Sequence, residues 1–154
     1  GWTVTLFSNG SPEDVAYLAR VQAQIATGQN LIGVAPHFAT PADLAAFVST
    51  CDVLVAHRMH ACIAAYSYGV PHIGLAWDVK LDSFFESTGR SAYMVDPMSL
   101  PTADAAALAE RAFEEGIPAR QHAAVLDECS RDVARLLDGL RSATAERPGQ
   151  AQAS

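Results

Sequence analysis

The side chains of this 154-residue sequence best suited to chemistry on an anion lie in His57-Arg58-Met59-His60, directly after the apolar run Asp52 to Ala56. The small-residue segment Ala61-Cys62-Ile63-Ala64-Ala65-Tyr66 that follows reads as a helix, which puts Arg58 and His60 in its first turn. Free backbone N–H groups and the positive end of the helix dipole favour an anion there, and an arginine adds a planar fork matched to carboxylate or phosphate. A histidine at the same place exchanges a proton near neutral pH. The bland alternative is a surface arginine and a hydrogen-bonded structural histidine.

A second group follows in Gly69-Val70-Pro71 and Trp77-Asp78-Val79-Lys80. The Gly-Val-Pro step ends the helix and opens another buried strand, so Trp77, Asp78 and Lys80 emerge at the same sheet edge as Arg58 and His60. Opposite an arginine and a histidine, Lys80 becomes a second cationic contact. Trp77 is either a platform for a sugar ring or packing at a strand end. Asn9 and Gly10 are read two ways: as a ligand contact with close backbone approach, or as an ordinary turn. His57 and His72, ending one buried strand and lying in the next, are read as structural.

The elements that position these residues alternate. Strands are expected at Thr3 to Phe7, Leu31 to Ala35, Asp52 to Ala56, His72 to Ala76 and Ala92 to Val95. Ser11-Pro12-Glu13-Asp14 and Thr40-Pro41-Ala42-Asp43 are helix starts, each with a capping hydroxyl, a proline and acids in the first turn. The first of these helices turns Val15, Leu18, Ala19 and Ile25 inward, the second Leu44, Phe47 and Val48. Two more helices are expected at Pro101 to Glu115 and Ala119 to Arg141, covering a sheet or a neighbouring domain. Alternating apolar strands and helices imply an α/β domain over residues 1–141, a doubly wound five-stranded parallel sheet of Rossmann or flavodoxin type in the order 2-1-3-4-5. Ligands of such a sheet bind where the order reverses, here between the first and third strands. Residues 142–154 lack apolar periodicity and are expected to be a disordered tail.

Composition narrows the partners. Ten Lys and Arg against seventeen Asp and Glu give a formal charge of −7. That speaks against nucleic acid or an anionic membrane, which need a basic face. Cys51, Cys62 and Cys129 have no paired zinc spacing and are read as reduced core thiols, so no metal ligand set and no cofactor are expected. No run of about 18 apolar residues exists to span a membrane, and a cytoplasmic protein is expected.

From Asp52 to Phe85, with Arg58-Met59-His60-Ala61, Gly69-Val70-Pro71 and Asp78-Val79-Lys80, the chain resembles the signature region of the polysaccharide pyruvyl transferase family. Leu6-Phe7-Ser8-Asn9-Gly10 with Glu13-Asp14 resembles that family's first strand and loop, and the likeness runs in order from about residue 3 to 115. The resemblance implies the C-terminal half of a two-domain enzyme built like GT-B glycosyltransferases, with the active cleft between the halves. It implies transfer of a pyruvyl group from phosphoenolpyruvate to a sugar of a cell-surface or exopolysaccharide, as a ketal. His60 and Arg58 become the catalytic pair, His60 as acid/base and Arg58 gripping the donor's phosphate and carboxylate with Lys80. Asn9, Gly10 and Asp78 become substrate contacts. The partners implied are phosphoenolpyruvate, a glycan acceptor and the enzyme's own N-terminal domain, without which these residues are expected to be inactive. The alternative is a glycosyltransferase or sugar-nucleotide epimerase half that uses a nucleotide sugar, with Asp78 or Asp82 on the ribose. A third is a non-catalytic domain of the same architecture.

Overall fold

A computed structural model describes residues 1–25 and 32–145. Its elements are β1 (Val4–Leu6), α1 (Pro12–Ile25), β2 (Ile32–Val34), α2 (Pro41–Val48), β3 (Leu54–Ala56), α3 (Met59–Ser67), β4 (His72–Leu75), α4 (Val79–Ser87), β5 (Met94–Val95), α5 (Thr102–Glu115) and α6 (Ala119–Ala145). Each expected strand is present but shorter: β1 lacks the outer residue at each end of its run, β3 the first two, β4 the last, and β5 the first two, where Ser91–Tyr93 form a 3-10 turn; Leu31 lies outside the described residues. Helix α6 runs four residues past Arg141 into the stretch expected to be a tail, and residues 146–154 lie outside the description.

Local chemistry explains the helix starts. At α2 the Thr40 hydroxyl accepts from the Asp43 backbone N–H at 3.2 Å while the Asp43 carboxylate accepts from the Thr40 N–H at 2.9 Å, a reciprocal box that satisfies two otherwise orphaned donors. At α4 the Asp78 carboxylate accepts from the Lys80 N–H at 3.0 Å.

Among the described residues all strand pairings are parallel, but the single five-stranded sheet is not formed. A two-stranded sheet β1-β2 and a three-stranded sheet β3-β4-β5 stand instead. The order within each agrees with 2-1 and 3-4-5. The expected β1–β3 pairing is missing because the facing edges of these strands border cavities rather than each other. The second half holds the core: Val48, Leu54, Cys62, Ile73, Leu81 and Phe85 are among its buried residues. Helix α1 has no buried residue, and Val15, expected to face inward, is 43 % exposed. Cys129, expected in the core, is also exposed, while Cys62 is buried, its thiol pushed up to about 12 by desolvation.

Gly74 in β4 is fixed by packing. A Cβ there would lie 2.5 Å from Phe85 Cε2 and 2.9 Å from Met94 Sδ, and Phe85 is fully buried and has nowhere to swing. Gly74→Ala is therefore expected to cost about 1–3 kcal/mol of stability, read as a lower urea midpoint with unchanged m.

His72 makes a buried polar cluster with Arg90. Its Nδ1–H donates to the Val70 carbonyl at 3.0 Å, and Arg90 donates to the His72 carbonyl at 3.3 Å and to the Gly116 carbonyl at 2.9 Å. Burial, with Arg90 adding repulsion, lowers the imidazole pKa to about 4. Unfolded, the same histidine binds a proton near pH 6.5. Between those values the unfolded chain holds the extra proton, so stability rises with pH through this window and is lost as pH falls from about 6.5 towards 4. The loss at the acid end is on the order of 3 kcal/mol. A His72→Gln variant should show a flatter pH dependence of Tm over this range, and an unchanged slope would remove His72 as its source.

Candidate functional site

The crevice forms where β1 and β3 end. Strand β1 leads into Phe7-Ser8-Asn9-Gly10, and Gly10 adopts φ +94, a left-handed conformation that glycine takes without strain. Its N–H is held by the Ser8 hydroxyl at 3.0 Å, which turns the chain sharply into α1. Strand β3 ends at Ala56; His57 and Arg58 follow, with Arg58 as the N-cap of α3. Arg58 offers no side-chain cap, so unlike α2 and α4, helix α3 begins with first-turn N–H groups that receive no side-chain acceptor among the described residues.

Between these ends lies a cavity of about 190 Å³ lined by Phe7, Ser8 and Asn9 on one wall, Val55 to Arg58 on the other, and Asp14 and Tyr17 of α1. Arg58 is held across it by Asp14: Nε donates to one carboxylate oxygen at 3.1 Å and Nη2 to the other at 2.7 Å. This two-point pairing depresses the Asp14 pKa, chiefly through the hydrogen bonds from Arg58, and raises that of Arg58 in return. The lowered pKa keeps Asp14 ionised, and so paired with Arg58, at neutral pH. Since Asp14 engages the Nε and Nη2 edge, the Nη1 side of the guanidinium keeps its donors, a second fork of the kind carboxylates and phosphates accept.

Trp77 ties the end of β4 to this place. Its indole N–H donates to the His57 carbonyl, its ring meets His57 edge-on at 6.4 Å, and the Arg58 guanidinium lies 5.9 Å from its centroid. The ring is nonetheless 58 % exposed, which leaves a face open beside the arginine.

Of the sequence-derived candidates, the cavity gathers Asn9 and Arg58. Gly10 shapes the adjoining turn without lining it. His60 sits exposed in the first turn of α3, two residues beyond Arg58, outside the cavity wall. Lys80 is exposed in the first turn of α4 and also lies outside that wall. The Asp78 carboxylate is occupied as the α4 cap. Asp14, which the sequence offers as a helix-start acid and as part of the loop resemblance but not as a site residue, joins the cavity through a partner 44 residues away. No three His, Cys, Asp or Glu side chains converge to hold a metal ion among the described residues. No helix among them is long and apolar enough to cross a membrane.

No curated protein and no solved structure matches the chain at a significant level. A family model does: the one described as polysaccharide pyruvyl transferase, over residues 8–79. The matched segment contains Asn9, Gly10, Asp14, Arg58, His60 and Asp78 and stops one residue short of Lys80. Over both walls of the crevice, then, this chain matches the polysaccharide pyruvyl transferase family, the family its sequence resembles.

Proposed function

We propose that this chain is the donor-side domain of a polysaccharide pyruvyl transferase, taking phosphoenolpyruvate and acting with a second, acceptor-side domain in a GT-B-like arrangement. The observation that carries the reading is Arg58, held by Asp14 at the uncapped start of α3 with one fork of its guanidinium still available. A dianionic or trianionic donor suits that place, and the net charge of −7 makes a local cationic fork all the more selective.

In the proposed chemistry the CH₂ carbon of the donor's enol takes a proton, and positive character develops at the neighbouring carbon. A sugar hydroxyl adds there, the carbon–oxygen bond to phosphate breaks, and a second hydroxyl completes the ketal. The net products are the ketal and inorganic phosphate: of the two hydroxyl protons, one balances the proton taken up at the CH₂ carbon and the other leaves on phosphate. His60 is the proton donor and acceptor; it is exposed and has no hydrogen-bond partner among the described residues, so its ring is free for that exchange. Arg58 and Lys80 hold the donor's anionic groups, and Asn9 contacts it from the β1 loop. The acceptor is a sugar residue of a cell-surface or exopolysaccharide, and the reaction runs in the cytoplasm, a setting suited to an exposed free thiol at Cys129.

A nucleotide-sugar reading would place Asp78 or Asp82 on ribose; Asp78 is committed to capping α4, which leaves Asp82 for that role. Thermal shift separates the two. Millimolar phosphoenolpyruvate should raise Tm and UDP-sugars should not; the opposite pattern would favour the nucleotide sugar. The 154 residues alone are expected to show no pyruvyl transfer.

A further inference from the structure

The geometry points to a missing central strand: we propose that an apolar β-strand, lying ahead of Gly1 in the natural polypeptide, inserts between β1 and β3, parallel to both. The inference concerns the sheet itself and does not depend on which donor the site takes.

Among the described residues nothing pairs with either facing edge. In a parallel strand, the N–H and C=O of one residue point to the same edge and alternate residues serve opposite edges. The Leu6 carbonyl accepts from the Ala35 N–H at 2.9 Å, so Leu6 faces β2 and Thr5 presents its backbone groups to the other side. Likewise the Leu54 N–H donates to the Pro71 carbonyl at 2.9 Å, so Leu54 faces β4 and Val55 turns its backbone groups towards β1. Yet β1 and β3 do not pair. The space between them is bordered on one side by the crevice of about 190 Å³ and on another by a cavity of about 490 Å³, both lined by Leu6, Phe7 and Val55.

The side chains agree. Strands of a parallel sheet are normally covered on both faces. Leu54 and Ala56 of β3 are buried, whereas Val55 is 49 % exposed and Val4 of β1 44 %. Helix α1, which should pack on the sheet, has no buried residue at all. One additional apolar strand with its crossover helix would meet all of these deficits together.

Topology places that strand in the chain. The observed halves run outward from the gap in opposite directions, β1 to β2 and β3 to β4 to β5. A common doubly wound order, 3-2-1-4-5-6, starts at the centre, steps outward on one side, then returns to the other side of its first strand. The present order is that one with its first strand absent, and a right-handed crossover from it leads into β1. The loop leaving its carboxyl end would emerge between Asn9 and His57. The crevice therefore lacks one of its three walls until this strand is in place.

Amide hydrogen exchange tests the proposal, comparing the 154-residue chain with the natural full-length polypeptide. In the short chain the Thr5 and Val55 amides should exchange near unstructured rates, while Leu6 and Ala56, which face β2 and β4, are protected. In the natural polypeptide Thr5 and Val55 should gain protection of about a hundredfold or more. Three results would overturn the idea: a natural polypeptide that starts at Gly1, equal exchange at Thr5 and Val55 in both proteins, or protection of both already present in the short chain. In the last case, concentration dependence would point to edge pairing between two copies, and its absence to direct closure of β1 on β3.

Discussion

His60→Ala in the intact two-domain enzyme is expected to lower turnover with phosphoenolpyruvate by about 10²- to 10⁴-fold, the usual worth of a positioned acid/base. The loss should fall on kcat, because in the proposed chemistry His60 moves a proton and does not hold the donor. Its exposure and its lack of partners among the described residues make the control clean: the variant should melt at the wild-type temperature. Near-normal kcat would remove His60 from the reaction. A loss confined to KM would make it a binding residue instead. Because His60 lies beyond the cavity wall, the measurement also tells whether the donor reaches past Arg58 to the solvent side of α3.

Arg58→Ala should weaken phosphoenolpyruvate binding by roughly ten- to a hundredfold, the range for a lost charge-assisted hydrogen bond. Asp14 makes this prediction sharper. Its carboxylate takes Nε and Nη2 of Arg58 and so sets the direction of the remaining fork, which makes Asp14 a positioning residue. Asp14→Asn should weaken donor binding by about tenfold, and the Asp14→Asn/Arg58→Ala double variant should bind no worse than Arg58→Ala alone, since without the arginine there is nothing left to orient. Additive losses would mean that Asp14 acts independently. Tighter binding in Asp14→Asn would show it to be a competitor of the donor for the guanidinium. Arg58→Lys is not a conservative control, because an ammonium cannot serve two acceptors with two parallel forks.

The local part of the structure was legible in the residues. Thr40 with Asp43 announces α2 through a capping box that needs no tertiary contact, and the apolar runs with Gly69-Val70-Pro71 announce the strands, since period and punctuation are properties of the chain itself. The exception among short-range features is Asp78. A carboxylate at a strand end is as well suited to a ligand as to a cap, and only the folded backbone shows the Lys80 N–H already on it.

The chain by itself determined which segments are strands and helices, that they would pair in parallel, and that Arg58 and His60 would stand at the start of α3, because these follow from side-chain period, capping chemistry and the strand-to-helix alternation. Tertiary structure alone decided that Asp14 meets Arg58 across 44 residues, that Asn9 shares a cavity with Arg58 while His60 and Lys80 stay outside it, and that β1 and β3 part instead of pairing. Such outcomes depend on which backbone edges find partners and how far apart two elements settle, and no local pattern in the sequence encodes a distance between segments that meet only in the fold.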